Sequence, residues 1–489
     1  MKTKQTLVCG ARNLCFALAA IFALAFIACG DGSGDDKTDG KKFTVTFNSD
    51  GGSDVDAQTI TKGDKAAKPA DPTKAWTGTL PAGLHTGIPD SDHFDGWQKD
   101  GAAYDFDTPV TADITLTAKW TAPNHPTPPI DLSTRSEANI IAKSVAYINA
   151  DDSGATAYTL ALDENVDNVA TIIHNKDGVT LTITSVDTTE RIISNGTATG
   201  TVFVVYRTNT AASGAKLVID GNITLQGKDN NNAAVVSVQE SIHELKGNAK
   251  ITGNTNTSSS NGGSNGGGGV RAEGNASNRA TVTMSGNAEI SGNTMGNGGG
   301  GVYLQGPADL TMSGNAAIKS NTGSGFGSGG IFAGGNASNR VTITMSGNAE
   351  ISGNTSAPTF AGAIASGGGV YLSNASLTMS GNASIKNNTA TGSSNAQGGG
   401  VSLTANSTFT MNGGEISGNS ATSDTGTAQG GGVNIGKTAA EFIVASEAVK
   451  ANIKNNTVTS TGTGTATGPQ VYKNTNGVFK VGGVAADTY

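Results

Sequence analysis

The chain has 489 residues, including 70 glycines, 12 prolines and three cysteines; 36% are apolar, 14% charged and 5% aromatic, and the formal net charge is -8. That length allows several ordinary domains or one long solenoid, but side chains this small and polar cannot fill a series of conventional globular cores. Glycine without a triplet period excludes a collagen-like chain, and the lack of a basic stripe excludes a nucleic-acid partner.

The first residues read as an address. Lys2, Lys4 and Arg12 lead into an uncharged apolar stretch from Leu14 to Ala28. The stretch is too short to span a bilayer as a stable helix and reads as a secretory signal over residues 1–28. It ends in Phe26-Ile27-Ala28-Cys29-Gly30, which resembles a bacterial lipoprotein lipobox with Phe26 where Leu is usual. The resemblance implies acylation at Cys29, with membrane lipid as a partner; each buried acyl CH₂ is worth ~0.8 kcal/mol. A plain secreted protein is the alternative. Cys9 and Cys15 fall inside the signal, so the mature body has no thiol for a disulfide, a structural zinc site or a nucleophile. Residues 29–42, rich in Gly, Asp and Lys, read as a flexible acidic stalk. From Gly30 to Trp120 there are 16 acidic and nine basic side chains, so most of the charge imbalance sits here.

At residue 43 the pattern changes to alternation. Phe43, Val45 and Phe47 alternate with threonines and run into the turn Asn48-Ser49-Asp50-Gly51-Gly52; Ile114, Leu116, Ala118 and Trp120 form a matching strand at the other end. Between them, Phe94-Asp95-Gly96-Trp97 and Tyr104-Asp105-Phe106 supply a small aromatic core. These residues, over 43–120, resemble the Listeria–Bacteroides repeat, or internalin B-repeat. The resemblance implies a ubiquitin-like β-grasp fold that serves as a spacer or interaction module on secreted bacterial proteins, without catalysis. Residues 75–93 depart from the family as an insertion, expected to be a surface loop. His85 and His93 flank it, and their spacing reads as ordinary loop polarity rather than a metal site.

Residues 121–132 read as a proline-rich linker. In residues 133–150 the spacing of Ile140, Ile141, Val145 and Ile148 predicts a helix, placed to lid the open end of a solenoid.

Over 151–489 the dominant signal is self-similarity. Glycine runs end in Val270, Val302, Ile331, Val370, Val401 and Val433, at intervals of 32, 29, 39, 31 and 32 residues. A Met follows at Met284, Met312, Met345, Met379 and Met411, then Ile290, Ile318, Ile351, Ile385 and Ile416. An Asn stands three residues after each Ile: Asn293, Asn321, Asn354, Asn388 and Asn419; Asn254 and Asn456 keep that offset outside the set. Segments of two or three extended residues cannot form a stable meander, but stacked on copies of themselves they form three parallel sheets around a narrow core. The fold class is therefore all-β, a parallel β-helix solenoid of about ten coils and ~50 Å. Met is an unbranched filler of that core. The constant Asn offset predicts an internal hydrogen-bonded ladder in preference to a mere turn marker. The glycine runs read as flexible loops along one edge. The repeat resembles that of chlamydial polymorphic outer-membrane proteins and related adhesins, with Gly-Gly-Gly-Val at Gly367–Val370 and Ile385/Asn388 in the positions of the hallmark elements; this implies surface display and adhesion.

Catalytic chemistry has little support. Glu289, Glu350 and Glu415 share one outward position but are separated by Ala317 and Ser384, and His243-Glu244 has no nucleophile beside it. Arg271, Arg279 and Arg340 read as scattered surface cations. No catalytic residue, metal or cofactor is expected. Tyr303, Phe332 and Tyr371 share the outward position after the first β-branched residue and are candidate surface contacts. The reading is a lipid-anchored protein of the bacterial cell envelope, on the outer membrane or cell surface. It would contact host protein or glycan; the alternatives are a structural spacer and a polysaccharide lyase or glycosidase.

Overall fold

The structure is a computed structural model that describes residues 40–75, 91–121, 130–131, 140–151, 154–210, 213–258, 266–325, 327–360, 362–437 and 439–486. The chain divides into two compact units, one holding the described residues 40–74 and 93–121 and the other the repeats.

The first unit is a mixed sheet of β1 (Lys42–Asn48), β2 (Gln58–Thr61), β3 (Lys74–Ala75), β4 (Ser91–Lys99), β5 (Ala102–Ala103) and β6 (Ile114–Thr121), in the order β2-β1-β6-β4-β3 with β5 on β4. Strict alternation buries Phe43, Val45 and Phe47 and exposes the threonines between them. The first and last strands lie parallel, Val45 against Ile114, with β2 and β4 antiparallel outside them. Trp97 packs edge-on to Phe47 at 4.9 Å and is 3% exposed. The Gly-Gly turn is required by packing, because a Cβ on Gly52 would stand 2.5 Å from the Trp120 ring. That indole donates to the Ser49 carbonyl at 2.8 Å, tying the last strand to the first turn. Of the insertion at 75–93, residues 76–90 lie outside the described residues, as do Cys29 and the signal.

The second unit is a parallel β-helix with three main sheets of 13, nine and ten strands. In one coil, Val370–Ser373 lies on the third face, Ala375–Met379 on the first and Ser384–Lys386 on the second. Each strand pairs in register with its equivalent one coil on; Met284, Met312, Met345, Met379 and Met411 form one column, all fully buried. One or two inward side chains per strand suffice, which is why so glycine-rich a chain has a continuous core. Near the C-terminal end Phe409, Phe442 and Phe479 replace aliphatic residues and stack inside it at 4.7 and 5.5 Å.

The three-sheet expectation is incomplete. Between the second and third faces the later coils add a seven-stranded sheet, from Thr255–Asn256 to Thr457–Ser460, and a four-stranded one, from Ile364–Ser366 to Ala466–Thr467. Ala365, Ala390, Ala396 and Ala421 form a small core between them. Nor are the glycine runs loose loops. Gly368 N–H donates to the Gly398 carbonyl and Gly399 N–H to the Gly430 carbonyl, at 3.0 and 3.1 Å. A Cβ on Gly399 would lie 2.4 Å from the Ser420 carbonyl oxygen, so only glycine lets the backbone pass this close.

Both ends are covered. Helix α1 (Ile140–Ala150) buries Ile141, Val145 and Ile148. Its Asn149 donates to the Ile173 carbonyl at 2.7 Å and accepts from Asn175 N–H, occupying the edge of the first third-face strand. Within the expected linker, β7 (Ile130–Asp131) instead pairs with β8 (Ala157–Leu162) and extends the first face. At the far end Val484–Ala485 folds back antiparallel on Val478–Val481.

Candidate functional site

The most ordered polar feature is the column of asparagines. Asn254, Asn293, Asn321, Asn354, Asn388 and Asn419 are fully buried and Asn456 is 3% exposed. Each inward turn is produced by the residue before the Asn, which has positive φ at all seven positions: Gly253, Gly292, Ser320, Gly353, Asn387, Gly418 and Asn455. From Asn293 to Asn456 the side chains then run head to tail. Asn354 N–H and Nδ2 both donate to Asn388 Oδ1, at 3.0 and 2.9 Å, and Asn388 repeats this to Asn419 Oδ1 at 2.9 and 3.0 Å. The second amide hydrogen of Asn388 goes to the Ile351 carbonyl at 3.0 Å. Every polar atom of the amide is thereby used, which is what makes its burial tolerable. Two ends escaped the sequence reading. Asn231 starts the column by donating to Asn254 Oδ1 at 2.8 Å, and Gln470 closes it by accepting from Asn456 Nδ2 at 2.8 Å. Neither keeps the Ile-x-x-Asn offset, so nothing local marks them. A second, exposed column joins Asn222, Asn248, Asn287, Asn315, Asn348 and Asn382 at the turn after each first-face strand.

Tyr303, Phe332 and Tyr371 are brought together. They lie in register on the third face, and their rings stack at 5.1 Å with interplanar angles of 11° and 16°. The coil spacing of ~4.8 Å places neighbouring rings near stacking distance. Tyr303 is nonetheless only 3% exposed. Backbone at Gly266 covers its ring, where a Cβ would stand 2.8 Å from the Tyr303 Cδ1 atom, and its hydroxyl donates to Gln305 Oε1 at 2.9 Å. Burial pushes its phenol above the ordinary value. Tyr303 is thus a packed residue rather than a surface contact, while Phe332 and Tyr371 are half-buried. The column continues downward to Arg271, which is 4% exposed and paired with Glu273, not a free surface cation.

The acidic residues of the second face are bound to lysines one coil on: Glu289 to Lys319 at 2.8 Å, Glu350 to Lys386 at 2.6 Å and Glu415 to Lys454 at 3.1 Å. Partial burial of Glu350 opposes ionisation, but bonds from Lys386 and Ser352 outweigh it and hold the carboxyl below its usual range. Such groups are poor proton donors near neutrality. His243 and Glu244 point to opposite sides of their strand: Glu244 pairs outward with Lys216 at 2.7 Å, and His243 is buried, its Nδ1 3.2 Å from the Leu217 carbonyl. Among the described residues no three His, Cys, Asp or Glu side chains are grouped to hold a metal ion. His93 is exposed, 3.9 Å from Asp95; His85 lies outside the described residues.

No curated protein and no solved structure shows a significant match to the chain. Residues 43–76 and 90–119 match the Listeria-Bacteroides repeat domain, a module typical of surface or extracellular bacterial proteins, and the match breaks at the insertion.

Proposed function

We propose that the chain is an exported interaction protein of the bacterial envelope, tethered by lipid on Cys29 and using its β-helix as a binding surface for host protein or glycan. The observation that carries this reading is the combination of a surface-type repeat at 43–119 with a solenoid that stacks parallel coils over more than three hundred residues. Such a solenoid offers a long, rigid surface built from short repeats. The paired state of Glu289, Glu350 and Glu415 supports binding over polysaccharide cleavage, because a glycosidase needs one carboxyl protonated and one free. A structural spacer is the second reading. It is favoured by the covered Tyr303, which makes part of the aromatic column internal packing.

Two measurements test the proposal. Cys29→Ser should move the protein from the membrane pellet to the soluble fraction and abolish labelling with a palmitate analogue; unchanged partitioning excludes the lipid anchor. Screening the purified chain on immobilised matrix proteins and glycans separates an interaction protein, which retains at least one, from a spacer, which retains none.

A further inference from the structure

We infer that the first face of the β-helix binds the surface of ice. The inference is independent of what the rest of the rod contacts. Over five consecutive coils this face presents a grid of hydroxyl groups. Thr283, Thr311, Thr344, Thr378 and Thr410 form one in-register column, and Thr281, Asp309, Thr342, Ser376 and Thr408 form the next. The side chains between them, Val282, Leu310, Ile343, Leu377 and Phe409, are fully buried, so both columns point outward. Backbone pairing continues one step past the Met column, where Ser285, Ser313, Ser346 and Ser380 are partly exposed. Columns stand ~6.7 Å apart across a coil and their members ~4.8 Å apart along the rod, so the grid covers ~19 by ~13 Å.

Charge is kept off this grid, and that decides the ligand. Asp309 is its one charged member and is neutralised by Arg279 of the preceding coil. One coil before the grid Glu244 takes the place of Thr283 and pairs with Lys216; one coil after it Glu441 takes the place of Thr408 and pairs with Lys480. Strand propensity alone does not explain the threonines, because the same sheet carries charged pairs on either side of them. An array with neither net charge nor an aromatic ring gives a single small molecule little to hold. Its contacts add up only on a partner that is itself neutral and repeats in two dimensions. Ice is such a partner: every water molecule in its surface both donates and accepts hydrogen bonds, as each hydroxyl here does. The methyl group beside each threonine hydroxyl orders the neighbouring water without binding it, whereas charged groups would hold hydration shells of their own. The columns are stiff, since β-branched side chains have few rotamers, and the buried Met and Asn columns hold the coils in register beneath them.

The test follows ice growth and recrystallisation in solutions of the purified full chain, against its own buffer. The chain should hold a single ice crystal unchanged below its melting point, halt recrystallisation, and partition into a growing ice front. Thr344→Lys and Thr311→Lys each place a hydrated charge in the grid and should lose all three effects while the protein's melting temperature stays unchanged. Thr457→Lys, exposed on the seven-stranded sheet, should keep them. If Thr344→Lys does not fold, Thr311→Lys, at the most exposed position of its column, decides. Crystal growth at the melting point, equal activity of the grid variants and the native chain, or sedimentation with powdered cellulose or chitin but no effect on ice would overturn the assignment.

Discussion

A buried asparagine is the residue on which the stacking of this solenoid turns. The Asn388 side chain accepts two hydrogen bonds from Asn354 and gives two of its own, to Asn419 and Ile351. Asn388→Leu leaves the Asn354 amide and the Ile351 carbonyl buried without those partners, at ~1–3 kcal/mol for each unsatisfied group. The expected loss is therefore several kcal/mol, against under ~1 kcal/mol for Asn382→Ala in the exposed column; equal denaturation midpoints would contradict the ladder's role. Two buried histidines make a second prediction. Desolvation lowers His174 and His243 from 6.5 to about 4 in the folded state. Between those values the unfolded chain binds protons that the folded chain excludes, so stability falls as pH drops from 6.5 towards 4, by up to about 3 kcal/mol per histidine. The depressed second-face carboxyls lose their contribution only below about 4.5, which separates the two effects. His243→Leu, in a column with Leu217 and Val282, should flatten the slope of melting temperature between pH 4.5 and 6.5; an unchanged slope would remove His243 as its source.

At the scale of elements, what the sequence revealed and what it hid have one cause. The Val, Met, Ile and Asn columns were legible because a large side chain in a stacked core recurs at a fixed offset. The added sheets were not: Thr389–Gly392 and Asn395–Gln397 bury only Ala390, Gly392 and Ala396, and runs so small carry no periodicity until a neighbouring coil supplies their partners. The glycine runs misled for a related reason, since glycine marks both a flexible loop and a backbone pressed against another. Of the candidate site, the aromatic register was legible but the cover over Tyr303 was not, because it comes from a distant turn at Gly266. The N-terminal helix was legible from its apolar spacing, and its role is testable. Ile148→Lys places a charge in a fully buried position and should cost about 3 kcal/mol or more. Amide exchange should rise first in residues 157–174, beneath the helix, while residues 270–435 stay protected; uniform exchange along the coil would show that α1 is not a local cap.

At the scale of the whole molecule, stability and function draw on the same repetition. A coil contacts little beyond its neighbours, so the solenoid holds together only as a stack, and its outer residues line up in columns: Thr283, Thr311, Thr344, Thr378 and Thr410 on the first face, Glu–Lys pairs interrupted by Ala317 and Ser384 on the second, and Phe332 beside Tyr371 on the third. A surface with columns of this length serves recognition only if the chain is outside the cell. Lys319, Lys386 and Lys454 report on that directly, since their side chains are 43%, 39% and 47% exposed. Intact cells treated with a membrane-impermeant amine-reactive reagent should yield peptides labelled at these three lysines, while a cytoplasmic control protein stays unlabelled. Labelling of the three lysines only after lysis would contradict the account.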